Sequence, residues 1–353
     1  MISFIENKNL KQKPDWGNLG FGKYFSDYMF TMDYSLDKGW HNATICPYAN
    51  LSLSPATMVF HYGQSIFEGM KAYKNAQGEI LLFRPLENIK RLNLSCERLC
   101  MPELPEDLVL EGLTKLLKIE SSWIPNIEGT SLYIRPFVIS TQEGLGVSAS
   151  SSYKFIIILS PVGSYYGNNL NPVKIFVEPY YVRAVIGGLG EAKASANYAA
   201  SIKAQQNAKK LGYSQVLWLD AIHKKYIEEV GTMNIFFKIK NSIVTPSLTG
   251  SILNGVTRKS VIDLCKDLGL SVVERQISID ELVECAKDGL LEEAFGSGTA
   301  AVISPISEFM WKGEKIVVKD SSTSPTAMKL YEILTGIQTG KVKDTHNWIY
   351  VIQ

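Results

Sequence analysis

Apolar positions along the chain follow two different spacings. Over residues 87–99, Ile89, Leu92 and Leu99 fall near one helical face, and over 106–119 Leu110, Leu113, Leu116 and Leu117 repeat the pattern, which predicts two helices. Around them run short stretches rich in β-branched and aromatic side chains and bounded by turn formers. Residues 80–83 (ILLF), 131–140 (SLYIRPFVIS) and 153–160 (YKFIIILS) have this character, and each predicts a strand. Past residue 173 the two spacings continue. Strands are predicted at 174–177, 215–219 and 226–240, and helices near 199–211, 256–268, 279–286 and 327–337. The short loop at 220–225 predicts that the runs on either side of it pair antiparallel. Antiparallel strands with helices at their edges indicate an α+β (mixed α/β) class rather than a doubly wound parallel sheet. Between the halves, PVGSYYGNNLNP at 161–172 concentrates Pro, Gly and Asn without periodicity. That composition predicts one domain over 1–162, a linker at 163–173 and a second domain over 174–353.

Composition narrows the function without naming it. With 46% hydrophobic and 20% charged residues over 353 positions, the chain has the make-up of a folded protein and not of a disordered one. Lys and Arg number 36 against 35 Asp and Glu, so no excess of positive charge draws the chain to nucleic acid or anionic lipid. A small local anion site is compatible with that balance. The longest aliphatic run, FIIIL at 155–159, falls far short of the roughly 20 residues a membrane-spanning helix needs. The N-terminus, MISFIENKNLKQKPDWGN, lacks the continuous apolar segment of a secretory signal, and a cytoplasmic location is the expectation. The cysteines, Cys46, Cys96, Cys100, Cys265 and Cys285, form no CxxC, and the four histidines are scattered, so neither a disulfide framework nor a metal site is predicted. The spacing of Cys96 and Cys100 predicts that they stand one turn apart on a helix.

Candidate chemistry concentrates in three places. The segment GGLGEAKASANYAAS at 187–201 sets Lys193 and Tyr198 among residues with almost no side chains. A lysine amine with room around it can bond covalently to a carbonyl once its charged form is disfavoured. Adjacent carboxylates, Glu228 and Glu229, lie on a predicted strand, where alternation sends them to opposite faces, one towards solvent and one towards a site. A carboxylate against a ring nitrogen keeps it protonated, which pyridoxal chemistry needs. Asn254-Gly255-Val256-Thr257 at a helix start and Phe295-Gly296-Ser297-Gly298-Thr299-Ala300 offer backbone N–H groups and hydroxyls to an anion. Each feature alone also fits a plainer role: a solvated loop lysine, a strand-end charge pair, a cap or a turn. Their conjunction is much less expected by accident.

The order of these segments carries a resemblance. GGLGEAKASANYAAS, EEVGTMN, ILNGVTR and FGSGTA, preceded by FGKYFSDYM, FHYGQSIFEGMKAY, LFRP, LYIRP and EGLGVS, resemble the branched-chain amino acid aminotransferases among the fold-type IV pyridoxal-phosphate enzymes, over nearly the whole chain. The resemblance implies a two-domain fold, an N-terminal α/β sandwich and a C-terminal mixed pseudo-barrel with helices. It implies reversible transfer of the amino group between L-leucine, L-isoleucine or L-valine and 2-oxoglutarate on pyridoxal 5'-phosphate, in a ping-pong cycle. D-amino-acid aminotransferases and aminodeoxychorismate lyases share that scaffold, and a non-catalytic protein binding the cofactor or an amino acid is a further reading. The aliphatic pocket, the long N-terminal domain and the intact lysine, carboxylate and phosphate positions argue against these alternatives.

By the same resemblance, Lys193 in the second domain is the catalytic lysine and bears the cofactor. Glu229 meets the pyridine nitrogen, Glu228 faces away, and Tyr198 meets the phenolic oxygen. Arg84, Val256, Thr257 and Thr299 contact the phosphate, and Thr232 and Leu253 complete the cofactor set. Phe21, Tyr62, Phe67 and Tyr133 wall an aliphatic pocket, while Arg135, Thr299 and Ala300 meet the polar groups of the substrate. Leu145 and Val147 belong to a loop that reaches a partner subunit, so a homodimer is implied. Where animal members carry a redox-sensitive CxxC, this chain has Ala301-Val302-Ile303-Ser304, so thiol regulation is not expected there.

Overall fold

The computed structural model describes residues 1–163 and 170–352. Two compact units divide the chain: Met1–Gly167 with Ala192–Ser195 and Gly336–Gln353 in the first, Asn168–Glu191 with Ala196–Thr335 in the second. A cut at 163–173 assigns Ala192–Ser195 and the C-terminal tail otherwise; most of that linker lies outside the described residues. The tail joins the first unit by antiparallel pairing of Ile349–Ile352 with Ile80–Phe83. Among the described residues no helix is long and apolar enough to cross a membrane.

The first unit is built on a nine-stranded sheet. Its centre is the long antiparallel pair Ser131–Ser140 and Ser152–Val162, flanked on one side by the Tyr28–Ser35/Gly39–Pro47 hairpin and on the other by Met70–Lys74 and Ile80–Phe83. Alternation along the central strands sends Leu132, Ile134, Phe155 and Ile157 into the core. There they meet the apolar faces of the helices Pro85–Arg98 and Glu106–Ile119, through Ile89, Leu92, Leu113, Leu116 and Leu117. The strand Ser65–Phe67 pairs with Ser131–Ser140 and ends in the turn that carries Glu68 and Gly69. Cys96 is on the helix, but Cys100 is not one turn along it. The helix ends at Arg98, and Cys100 takes a left-handed conformation with φ 53°.

The second unit holds another nine-stranded sheet. Six of its strands close on themselves: Ile227–Val230, Gln215–Leu219, Val173–Val177, Val302–Trp311, Leu291–Gly298 and Met233–Ile239, the last pairing back to the first. Parallel and antiparallel neighbours alternate irregularly around this barrel, as the α+β reading requires. The predicted run 226–240 is two strands, because Gly231 (φ 57°) and Thr232 fold it into a hairpin with Glu229 opposite Asn234. The helix predicted near 199–211 begins earlier and spans Ser195–Lys210.

Candidate active site

Lys193 is tied into the first unit through its own backbone. Its carbonyl accepts from Phe67 N at 3.0 Å and its N–H donates to Ser95 Oγ at 2.9 Å, while Ala194 bridges to Ile66. Ser195 Oγ reaches Ser65 Oγ at 3.1 Å. The main chain is thus fixed on both sides of the residue, and the half-buried side chain carries Nζ to 5.0 Å from the centre of the Phe67 ring. The Arg135 guanidinium lies over the same ring at 4.5 Å and donates to the Tyr133 hydroxyl at 3.0 Å. Tyr133 and Arg135 share a strand face because they are two residues apart. Phe21 packs edge-on against Tyr133, with centroids 4.9 Å apart. The structure therefore brings together Lys193, Phe67, Tyr133, Arg135 and Phe21.

Two other groups of expected residues stand apart within this unit. Arg84 is a left-handed residue (φ 49°) at the start of the helix Pro85–Arg98, with its N–H bonded to Trp348 O at 2.7 Å and its guanidinium over the Trp348 ring. Tyr62 donates from its hydroxyl to the Leu145 carbonyl. Leu145 and Val147 are 69% and 83% exposed, a large apolar investment in solvent for one short loop.

In the second unit, Glu229 is buried and accepts from Leu253 N at 2.8 Å and Asn234 Nδ2 at 3.4 Å, with Arg183 Nε 3.2 Å away. Asn234 Nδ2 also donates to Leu253 O, which fixes the segment before the next helix. Gly255 follows, and a Cβ there would overlap Asn234 Oδ1, so only glycine lets the chain approach so closely. Val256 and Thr257 open the helix Val256–Asp267, and no side chain caps its start. Uncapped first-turn N–H groups at the positive end of a helix dipole suit an anion. Thr232 is exposed in the hairpin turn, and Tyr198 is half-buried on the helix Ser195–Lys210. Thr299 and Ala300 follow the strand Leu291–Gly298, so FGSGTA is a strand end and a turn rather than a turn throughout.

Glu228 does not face solvent: it is 6% exposed, and Ser251 donates its hydroxyl to Oε1. Alternation does separate the two carboxylates, but the segment 251–253 reaches both, through Ser251 Oγ and Leu253 N. Burial pushes the Glu228 carboxyl up, against the opposing Ser251 hydrogen bond and Arg183 charge. Sequence reasoning also missed Arg183, whose guanidinium donates to Gly190 O and Ser251 O as well as facing Glu229. No local spacing marks it, since Ser251 and Glu229 lie far along the chain. Among the described residues no cluster of three or more His, Cys, Asp or Glu is arranged to hold a metal ion.

The sequence profile of the amino-transferase class IV family matches residues 65–309. Branched-chain-amino-acid aminotransferase 2 of Bacillus subtilis (strain 168) is 59% identical over 338 residues, 96% of this chain and 93% of its own length. A branched-chain-amino-acid aminotransferase of Mycolicibacterium smegmatis is 46% identical, covering 94% and 92%. The crystal structure of an Escherichia coli branched-chain amino acid aminotransferase superposes with a TM-score of 0.76 at 27% identity, covering 93% of this chain and 99% of that one. A match to more than half the chain, joined to near full-length relatives at this identity, shows that the chain belongs to the class IV aminotransferases and, within them, to the branched-chain-amino-acid aminotransferases.

Proposed function

We propose that the protein moves the amino group reversibly between L-leucine, L-isoleucine or L-valine and 2-oxoglutarate, with pyridoxal 5'-phosphate held on Lys193. The observation that carries this is the Lys193 amine standing over Phe67 beside the Tyr133–Arg135 pair. The residues present fit the cofactor. The helix Val256–Asp267 starts without a side-chain cap and so has N–H donors for a phosphate, and Arg84, Thr257 and Thr299 are the further phosphate contacts that the family resemblance implies. Glu229 is a buried carboxylate suited to a protonated ring nitrogen. Bound to these groups, the cofactor supplies an electron sink for the substrate α-carbon and a carbon that accepts the amino group.

The chain's own residues do the rest. Lys193 Nζ takes the α-proton and returns it, because the small residues around it leave the amine room to swing. Glu229 keeps the ring nitrogen protonated, held in place by Leu253 N, Asn234 and Arg183. Tyr198 orients the phenolic oxygen, and Thr232 and Leu253 complete the ring's surroundings. Phe21, Phe67 and Tyr133 exclude water and select an aliphatic side chain, at roughly 1–3 kcal/mol per methylene. Arg135 gives a substrate carboxylate a polar contact, and Tyr62, Thr299 and Ala300 are the further polar contacts that the family resemblance implies. The exposed Leu145 and Val147, pinned through Tyr62, support a second copy of the chain as their cover and hence a homodimer.

Half-reactions followed by the cofactor's own spectrum test the reading. L-Leucine should convert the spectrum of the loaded protein and 2-oxoglutarate should restore it. Conversion by D-alanine or aminodeoxychorismate, with none by L-leucine, would assign a different activity.

A further inference from the structure

Beneath Lys193 lies a buried charge pair that the proposed reaction leaves unused. Glu68 is fully buried in the turn after the strand Ser65–Phe67. Arg91 holds it at two points, Nε to Oε1 at 2.7 Å and Nη2 to Oε2 at 3.0 Å, and Asn88 Nδ2 donates to Oε2 at 2.8 Å. Gly69 N donates to the same oxygen at 3.0 Å. Asn88, Arg91 and Ser95 form one buried stripe on the helix Pro85–Arg98, at the spacings that share a helical face. Ser95 Oγ donates to Arg91 O and accepts from Lys193 N.

Lys193 is therefore held at both ends by the frame that Glu68 locks. Its N–H goes to Ser95 on the stripe, and its carbonyl accepts from Phe67, the residue before Glu68. A buried ion pair of this kind brings little net stability compared with apolar packing, so its worth lies in fixing geometry. Its charge also reaches the site. Burial is the largest single influence and would raise the Glu68 carboxyl, but the Arg91 charge and hydrogen bonds, the Lys193 charge and the Asn88 hydrogen bond together outweigh it and hold the group below the ordinary range. Among the described residues, Arg91 from the helix contacts Glu68 directly and Lys193 from the 192–195 segment acts on it by charge, while Arg135 lies over Phe67.

The geometry points to Glu68, clamped by Arg91, Asn88 and the Gly69 N–H and linked to the Lys193 N–H through Ser95 on the same helix, as a positioning residue for Lys193 whose negative charge bears on the amine. This rests on Lys193 being the reactive lysine. The test reads Lys193 directly in the cofactor-free protein: its rate of modification by an amine-selective reagent against pH, followed by peptide mass, beside kcat and KM for L-leucine in the loaded enzyme. Glu68→Gln removes the carboxylate charge and leaves Arg91 uncompensated, which disfavours the ammonium. The labelling midpoint should move to lower pH by about half a unit to one unit, and kcat should fall about tenfold with KM changed less than about twofold. Glu68→Asp should restore the midpoint to near that of the native protein. Arg91→Lys keeps the charge but loses the two-point contact, so it should leave the midpoint in place and still lower kcat several-fold; it decides the matter if Glu68→Gln does not fold. Glu293→Gln, which alters a buried carboxylate of the second unit that accepts from Thr326 N and Ala327 N of the helix Pro325–Gln338, is the control for general destabilisation. A Glu68→Gln labelling profile that superimposes on the native one, an equal shift in Glu293→Gln, or native kcat in Arg91→Lys would overturn the proposal. Because the labelling needs no cofactor, it reads Glu68 independently of whether the transaminase reading itself survives.

Discussion

Tyr133 reaches the Phe67–Glu68–Gly69 turn only because residue 69 has no side chain: a Cβ there would overlap the tyrosine hydroxyl oxygen. Gly69→Ala should push the ring and its Arg135 partner aside. A displacement of about 1 Å can cost up to about a hundredfold in rate, so kcat/KM for L-leucine should drop at least about tenfold while the protein still folds, as steady-state kinetics beside thermal unfolding would show. Glu120 makes a second prediction at this scale. Burial raises its carboxyl to about 7 from an ordinary 4.5, with Asp27 adding to the rise and the Tyr28 N–H opposing it. The native state thus keeps this proton to higher pH than the unfolded chain does. The stability it contributes is fully present below 4.5 and is lost as pH rises through 7. Glu120→Gln cannot ionise, so its unfolding free energy relative to the native protein should climb between pH 5 and 8, and urea titrations across that window should show the difference widening. Lys193 and Glu229 stood out in the sequence as candidates because each sits in a segment whose composition is unusual in itself. Glu68, Arg91 and Arg183 were not, since a buried ion pair is defined by partners that only the fold brings near.

Gly112 shows how an element is fitted to its sheet. It lies on the buried face of the helix Glu106–Ile119, where a Cβ would come 2.6 Å from Phe30 Cζ. Alanine would gain about 1 kcal/mol of helix propensity. Against that, forcing a methyl into a packed core costs about 1–3 kcal/mol, and Phe30 is fully buried with no room to retreat. Gly112→Ala should therefore be destabilised by about 1 kcal/mol, and adding Phe30→Leu should recover part of the loss in urea unfolding. The helices were legible from their apolar stripes: Glu106–Ile119 has the predicted bounds, and the others agree to within about four residues. The strands Ser131–Ser140 and Gln215–Leu219 were equally plain. The hairpin Tyr28–Ser35/Gly39–Pro47 escaped notice because its loop lacks a two-residue Asn-Gly or Asp-Gly signature. Ile349–Ile352 escaped because its partner strand lies more than 260 residues earlier in sequence. Val302–Trp311 was hidden behind the Gly-rich FGSG, which reads as a turn although it finishes a strand.

At the scale of the whole molecule, the proposed homodimer would cover the exposed Leu145 and Val147 with a second copy of the chain. Sedimentation velocity should give twice the chain mass for the native protein, and Leu145→Asp with Val147→Asp should shift it towards the monomer with loss of activity. A monomeric native protein, or a dimer indifferent to both substitutions, would remove that loop from the assembly. The mixed sheet and closed barrel are common to enzymes of many kinds, so the fold leaves the assignment to Lys193. The most direct measurement is to load the protein with pyridoxal 5'-phosphate, reduce it with borohydride and map the modified peptide by mass spectrometry. The phosphopyridoxyl mass should sit on Lys193, and Lys193→Ala should lose both the adduct and turnover of L-leucine. The mass on another lysine, or an active Lys193→Ala protein, would contradict the assignment.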